Sequence, residues 1–432
     1  MVNSLAMTFF EFQLPYHLPP STYHLFSKEI KSCTRFEGIL NPFDYDELRH
    51  RLKQKIEQFP MNQHHIEVTV STKTFADNIL YIRKQVTPAK VCVVMKANAY
   101  GHGLKALAPT AIAAGADYIG ICTNPEAATI RNLGLDVKIM RLRMGFPEEF
   151  EEAIDQLDIE EQVGSIEAAD YLSTAGIKRG KKIPVHLKID TGMGRSGFFT
   201  FQIEQLQKVC CLPGISIVGI MTHFATADGT DLTFTQQQME DFYSLRRALN
   251  DYLPDNVLTH THNSAATVRL RPLCNNLVRV GAACYGVRTS RDFENPSALK
   301  PVMSVKTKVA QVRAVPAGRT IGYGSLFTTQ RDSLIASLPV GFGEGYPRSL
   351  FNKGIVLIHG RRCPVVGRVS LNITTVDVTD VPEEVKWGDE VVLVGRQGEE
   401  EITFEELADK FQSVHTEINL MAGLMNQVSY VQ

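Results

Sequence analysis

No stretch of the sequence is apolar for long enough to span a bilayer. No run of lysine and arginine marks a surface for nucleic acid or an anionic membrane, and the formal net charge is only −2. Neither nucleic acid nor membrane is therefore expected as a partner. There is also no C-x-x-C pair. The eight cysteines (Cys33, Cys92, Cys122, Cys210, Cys211, Cys274, Cys284 and Cys363) are scattered, several of them inside apolar runs. That argues against a disulfide framework and for a reducing compartment. The N-terminus also reads poorly as a secretory signal. Residues 1–20 carry no basic residue ahead of their apolar stretch, and Glu11 interrupts it. A cytoplasmic protein is expected.

What is present is a soluble globular profile. The 432 residues are 44% hydrophobic and 21% charged, enough for two domains with a large core. Residues 1–60 read as an N-terminal extension of unassigned role. Within it, Asp44–Phe59 has Leu48, Leu52, Ile56 and Phe59 on one helical face, and Pro60 ends it. A packing helix explains that stripe as well as any docking role.

From Ile66 onward, short apolar runs alternate with helical ones. Candidate strands are Val91–Met95, Tyr118–Cys122, Val137–Leu142, Val163–Ser165, Pro184–Ile189, Ser216–Met221, Val257–His262 and Leu277–Tyr285. Helix candidates between them include Pro125–Leu133, Pro147–Gln156, Ile166–Thr174 and Gln236–Asn250. Eight strand–helix alternations predict an α/β fold, a (β/α)8 TIM-like barrel, over residues 61–299. After Lys300 the texture becomes β-branched and punctuated by Gly, Pro and Asp. Strands are expected at Val302–Val315, Asp332–Pro339, Gly354–Ile358, Val365–Val369, Thr374–Asp377 and Glu390–Val394, and helices at Phe404–Phe411 and Glu417–Leu424. Residues 300–432 thus form a C-terminal, mostly-β domain.

Chemistry concentrates at the strand ends. In V-V-M-K-A-N-A-Y-G-H-G, Lys96 closes a buried apolar strand, at the end of a barrel strand where active sites are built. A desolvated lysine is a good nucleophile towards an aldehyde. A lysine that merely snorkels to solvent would also suit that place. The following glycines allow close backbone approach, and Tyr100 can reach an anion. H-L-K-I-D-T-G-M-G-R carries Lys188 and Arg195 into a second Gly-rich turn, where a Lys188–Asp190 pair could also be purely structural. His223 ends a third strand, and a satisfied core histidine would look the same. Ser264 follows H-T-H-N, and Arg279 sits in L-V-R-V-G-A.

These motifs resemble the alanine racemase family, and the resemblance runs from about Ile66 into the C-terminal region. It implies a pyridoxal 5'-phosphate-dependent amino-acid racemase, an isomerase that interconverts L- and D-alanine with two bases. It also implies a D-alanine product suited to bacterial cell-wall synthesis. By that resemblance Lys96 carries the cofactor and Tyr323, in Gly322-Tyr323-Gly324, is the opposing base. The family takes that tyrosine from the second subunit of a homodimer with shared active sites. Tyr100, Ser264 and the amides of Gly281 and Ala282 would hold the phosphate. His223 would lie near the cofactor ring, and His260 would support Arg279. Arg195 would contact the cofactor's phenolic oxygen and orient substrate. Lys188 sits where some members carry a carbamylated lysine. Arg279 is the most diagnostic residue. Many enzymes using this cofactor set a carboxylate against the ring nitrogen. A guanidinium neither accepts nor readily loses a proton, so it leaves that nitrogen unprotonated.

The sequence also departs from the family. V-G-x-[IV]-C-M-D is here V-G-R-V-S-L-N, placing Leu371 at a substrate-binding position and Asn372 beyond it. Thr416 replaces a tyrosine beside Glu417-Ile418, and Arg141 and Arg143 are unusual. These features resemble the broad-spectrum branch and imply a wider amino-acid scope. Three alternatives share the fold in whole or part. Arg279 speaks against a decarboxylase. A metal-dependent aldolase wants His and Cys ligands near the C-terminus, where only His415 stands, so no metal is expected. A non-catalytic cofactor carrier would lack a domain bearing Tyr323.

Overall fold

The computed structural model describes residues 65–270, 275–288, 296–411 and 415–432, with the backbone alone for 411, 415, 416 and 418–420. The expected helix at Asp44–Phe59 lies outside the described residues.

The first strand, β1 (Glu67–Ser71), leads into the helix Thr72–Val86. Ser71 caps that helix by accepting from the Thr74 N–H at 3.1 Å. Phe75, Ile79, Ile82 and Val86 form its buried stripe. Asn78 is buried on the same helix because its amide has work. It donates to the Cys284 carbonyl (3.0 Å) and Lys300 carbonyl (2.9 Å) and accepts from the Lys300 N–H (3.0 Å).

Eight parallel strands then form a nearly closed barrel: β2 (Lys90–Val94), β3 (Tyr118–Ile121), β4 (Lys138–Arg141), β5 (Ile159–Val163), β6 (Ile183–Asp190), β8 (Ile215–Met221), β9 (Leu258–His260) and β10 (Leu277–Val280). A two-residue strand, β7 (Phe198–Phe199), rides on β6. The sheet order is β10-β2-β3-β4-β5-β6-β8-β9. Its ends meet through the Asn276 N–H to the Thr259 carbonyl (3.1 Å) and the Arg279 N–H to the His262 carbonyl (3.0 Å).

The expected α/β barrel is present, and seven of its strands fall where the apolar runs place them. The fourth is a correction. It spans Ile159–Val163, not Val163–Ser165. Its I-E-E-Q-V reads as polar surface, yet all five residues are buried. Glu160 and Glu161 are each paired with a cation from another strand, Lys138 and Arg141. The eighth strand is also shorter than expected, stopping at Val280 before a 3-10 turn, Ala282–Tyr285.

The C-terminal region is mostly β. Its large sheet has the order β17 (Arg361–Pro364), β16 (Ile355–Ile358), β19 (Glu390–Gln397), β11 (Met303–Lys308), β1, β21 (Val428–Val431), with β20 (Glu400–Ile402) on β19. So β1 precedes the barrel in the chain but belongs to this sheet. It runs antiparallel to β11 and parallel to β21. A second sheet holds β12 (Gln311–Val315), β15 (Ser333–Leu338) and β18 (Thr374–Asp377). The expected single strand Val302–Val315 is therefore two strands in different sheets. Val365–Val369 is not a strand, because Gly367 turns the chain at φ 75° and only Val365 bridges, to Val376. The ribbon β13 (Thr320–Ile321) and β14 (Phe327–Thr328) presents Tyr323 in the turn at its tip. Helices at Phe404–Phe411 and His415–Met425 complete the fold.

Candidate active site

Lys96 stands one residue past Met95, the first residue after β2, and the chain then winds the wrong way. Ala97, Asn98, Ala99 and Tyr100 have φ of 53°, 53°, 55° and 53°. Each non-glycine residue in that left-handed region costs about 1–2 kcal/mol, so neighbours must impose the turn. The Glu126 carboxylate accepts from the Ala97 N–H at 2.6 Å. Its other oxygen takes the Cys122 (2.8 Å) and Thr123 (3.1 Å) N–H groups. The Asn98 side chain accepts from the Leu104 N–H at 2.8 Å. Sequence reading missed Glu126, whose local role is the capping box at the start of the helix Asn124–Asn132.

One cavity of about 360 Å³ gathers the strand ends. Lys96, Tyr100, Lys188, Arg195, His223, Ser264, Arg279, Gly281 and Ala282 all line it, as do Gln162 and Asn263. Nine residues singled out in the sequence thus converge. His260 lies directly behind Arg279. Tyr323 and Leu371 do not line the cavity; they are 73% and 54% exposed on the β domain.

At one end, the Ser264 hydroxyl accepts from the Gly281 N–H at 2.9 Å and the Ala283 N–H at 3.4 Å. Its own hydrogen remains available to an anion. Glycine at 281 lets the Tyr100 hydroxyl come close, since a Cβ would sit 2.6 Å from it and the ring would have to shift. Burial pushes the Tyr100 phenol up, so it is a neutral donor.

Arg279 forms the inner wall, held through both terminal nitrogens. One terminal nitrogen donates to the His260 carbonyl (2.6 Å) and His260 Nδ1 (3.0 Å). The other donates to the Thr222 carbonyl (2.7 Å) and His223 Nδ1 (3.3 Å). Burial lowers Arg279 to about 10, which leaves it a cation at neutral pH. His223 and His260 are both driven well below the usual imidazole range, first by burial and then by neighbouring charge, including Arg279. Both are neutral.

Lys188 does not form the simple pair with Asp190 that its motif allows. Asp190 accepts instead from the Gly192 (2.9 Å) and Gly194 (3.1 Å) N–H groups, shaping the turn that presents Arg195. Lys188 Nζ donates to the Ile189 carbonyl at 2.7 Å. Burial, reinforced by Arg279, lowers it to about 7.

Arg141 and Arg143 are a second correction: neither shapes this cavity. Arg141 points away from the barrel axis and forms a buried two-bonded pair with Glu161, at 2.7 and 3.0 Å. Arg143 pairs with Glu149 at 2.8 Å. They therefore give no support to a wider substrate scope. The side chain of Thr416 lies outside the described ones.

A cofactor of this kind needs a lysine amine, a cradle for a dianion and a cationic setting. The converging Lys96, Lys188, Arg195 and Arg279 and the Ser264–Gly281–Tyr100 cradle meet those needs. Barrel and site together define a barrel-type pyridoxal-phosphate enzyme with a trailing β domain.

Comparison with known proteins narrows the class. Residues 70–289 match the alanine racemase N-terminal domain and residues 302–430 the alanine racemase C-terminal domain. An alanine racemase of Halothermothrix orenii is 39% identical over 340 residues, covering 78% of this chain and 89% of that protein. The crystal structure of an alanine racemase from Streptomyces lavendulae superposes with a TM-score of 0.80 at 29% identity, over 85% of this chain and 97% of its own. That of the Bartonella henselae alanine racemase, with covalently bound pyridoxal phosphate, gives 0.77 at 28% identity, over 85% and 99%. The chain belongs to the alanine racemase family.

Proposed function

We propose that the protein interconverts L- and D-alanine with pyridoxal 5'-phosphate held on Lys96. The observation that carries this reading is the placement of Arg279. It is a cation locked into the wall of the same cavity that receives Lys96 and the phosphate cradle. When bound, the cofactor supplies an electron-withdrawing ring that acidifies the substrate's Cα–H. The chain's own residues do the rest. The Tyr100 and Ser264 hydroxyls and the Ala282 amide hold the phosphate, with the Gly281 N–H, given to the Ser264 oxygen in this structure, at the edge of the cradle. Arg195 orients the substrate beside the phenolic oxygen, and His223 packs near the ring. Arg279 keeps the ring nitrogen unprotonated, which favours plain removal and return of a proton over other reactions. Lys96 moves that proton on one face.

A racemase needs a second base on the opposite face. We assign it to Tyr323 supplied by a second copy of the chain, with Leu371 at the substrate wall. Tyr323 does not line its own chain's cavity. Leu326, Phe342, Leu371 and Ile373 are also exposed on the β domain. A homodimer with shared sites would cover such exposed apolar residues. The division into an extension (1–60), a cofactor-binding barrel (61–299) and a β domain (300–432) is part of this proposal, with β1 lending one strand to the β domain. The six described cysteines are free, which suits a reducing, cytoplasmic setting. Thr416 in place of the family tyrosine, a smaller residue at the pocket wall, admits amino acids longer than alanine as a further part of the reading.

The test is an absorbance scan of the purified protein together with an assay of D- and L-alanine interconversion, repeated on Lys96→Ala. The expected result is a visible band from the covalently bound cofactor and racemisation, both lost in the variant. Racemisation that survives in Lys96→Ala overturns the assignment.

A further inference from the structure

A row of buried side chains runs down the barrel axis from Arg279 to the opposite end. Arg279 touches His260 Nδ1 at 3.0 Å. His260 Nε2 touches His186 Nδ1 at 2.9 Å. His186 Nε2 touches Glu160 Oε2 at 2.8 Å. Glu160 Oε1 takes Lys138 Nζ at 3.0 Å, and the Lys138 side chain is 58% exposed. Both imidazoles are fully buried. The glycine at 219 makes the row possible: a Cβ there would stand 2.0 Å from His186 Nδ1 and 3.0 Å from His260 Nε2.

We propose that Glu160 fixes where the protons sit on His186 and His260, and through them holds Arg279 in place; Glu160 and His186 are positioning residues. The inference rests on the reading that Arg279 faces the cofactor's ring nitrogen. The argument is a count of donors and acceptors. A guanidinium only donates, so His260 Nδ1 accepts. A neutral imidazole has one donor and one acceptor, so the His260 proton is on Nε2. It points at His186 Nδ1, which accepts in turn. The His186 proton is then on Nε2 and is given to Glu160. A carboxylate only accepts, so this end also admits one arrangement. The row therefore has a single polarity, set by an anion at one end and a cation at the other. Reversing His260 would put an N–H against the Arg279 guanidinium, and reversing His186 alone would set two N–H groups against each other and a bare ring nitrogen against the Glu160 carboxylate. Burial closes the remaining escape, because it disfavours a charged ring. Burial also opposes the Glu160 charge, but the hydrogen bonds from His186 and Lys138 outweigh it and keep the carboxylate ionised.

The strand period makes the row possible. His186 and Lys188 are two apart on β6, and Glu160 and Gln162 two apart on β5, so each pair shares the inward face. One member of each pair serves the row and the other lines the cavity. A packing-only role for these residues would require no fixed proton positions.

The test is nitrogen-15 NMR of histidine-labelled holoenzyme, which separates Nδ1–H from Nε2–H tautomers. Wild type should show both His186 and His260 as neutral Nε2–H rings; an Nδ1–H signal from either overturns the proposal without any mutation. Glu160→Gln keeps an acceptor for His186 and should retain both tautomers and most of kcat. Glu160→Leu removes it and should mix the tautomers, shift the cofactor band and lower kcat about 10–100-fold with little change in KM. A folded Glu160→Leu protein with unchanged tautomers, band and kcat would also overturn it. Arg279→Glu serves as the separate control. If that change leaves the cofactor band unmoved, the reading of Arg279 fails, while the wild-type tautomers still decide the row.

Discussion

Glu126 reaches across from the next strand end and takes the Ala97 N–H, the first beyond Lys96, at 2.6 Å. That single contact ties the left-handed turn to the barrel wall. The same carboxylate also holds the Cys122 and Thr123 N–H groups. Glu126→Ala should therefore release a strained turn as well as a helix cap. The expected loss is about 1–3 kcal/mol of stability, with weaker retention of the cofactor. Thermal melts of the cofactor-free protein and cofactor titration by absorbance check it. A variant with unchanged melting and unchanged cofactor affinity would show that the turn holds itself.

Arg279→Glu replaces a cation with a carboxylate facing His260 and His223. A carboxylate favours a protonated ring nitrogen. Racemisation should slow by about 10–100-fold, and transamination of alanine to its keto acid should rise. The ratio of keto acid to D-alanine is the measurement. An unchanged ratio and rate would mean that Arg279 does not face that nitrogen.

Lys188 is held near 7 by burial and by Arg279. Its folded value lies below that of a free lysine, so the neutral amine dominates above pH 7 and the ammonium below. Only the neutral amine adds carbon dioxide. With carbon-13 bicarbonate, a carbamate resonance is expected at pH 8 that fades as the pH falls to 6. It should be absent in Lys188→Ala. A resonance that persists unchanged in that variant would place the modification elsewhere.

The Arg141–Glu161 pair is buried on both sides and away from the cavity. Glu161→Ala removes the nearer carboxylate from buried Arg141 and leaves it Glu149 at 3.7 Å, a loss of up to about 3–5 kcal/mol. Denaturant melts should show that loss. The ratio of specificity constants for alanine against a longer amino acid should stay the same, and a changed ratio would return Arg141 to the site.

If Tyr323 acts on a partner's Lys96, two dead variants should rescue each other. Mixing Lys96→Ala with Tyr323→Phe and allowing random reassembly puts intact sites at roughly a quarter of the total. Activity should reappear to that extent. Heterodimers that form and bind cofactor yet stay inactive would confine Tyr323 to its own chain.

The barrel is legible in the sequence because parallel strands buried on both faces read as unbroken apolar runs. The exception, Ile159–Val163, shows what such reading misses. Two glutamates in a strand look exposed until His186, Lys138 and Arg141 are brought to them from other strands. The same limit explains the site. Lys96, Arg195, Ser264 and Arg279 lie in local motifs and can be found one segment at a time. Glu160, and Glu126 in its hold on Ala97, act through residues far away in the chain. Arg141 shows the converse error: an unusual residue next to a motif invites a functional reading, while its partner, twenty positions on, makes it structural.

β1 has a consequence for synthesis. Its antiparallel neighbour, residues 303–308, and its parallel neighbour, residues 428–431, are both translated after the last barrel strand. A ribosome therefore exposes Val68 and Val70 early and completes all eight barrel strands before either neighbour exists. This strand must wait, unpaired and apolar on one side, for most of the chain's production. Edge strands left open in this way are prone to pair wrongly. The order of manufacture makes the first described strand among the last to find its place, and a stall in translation after the barrel would leave a protein with Lys96 built and its sheet unfinished.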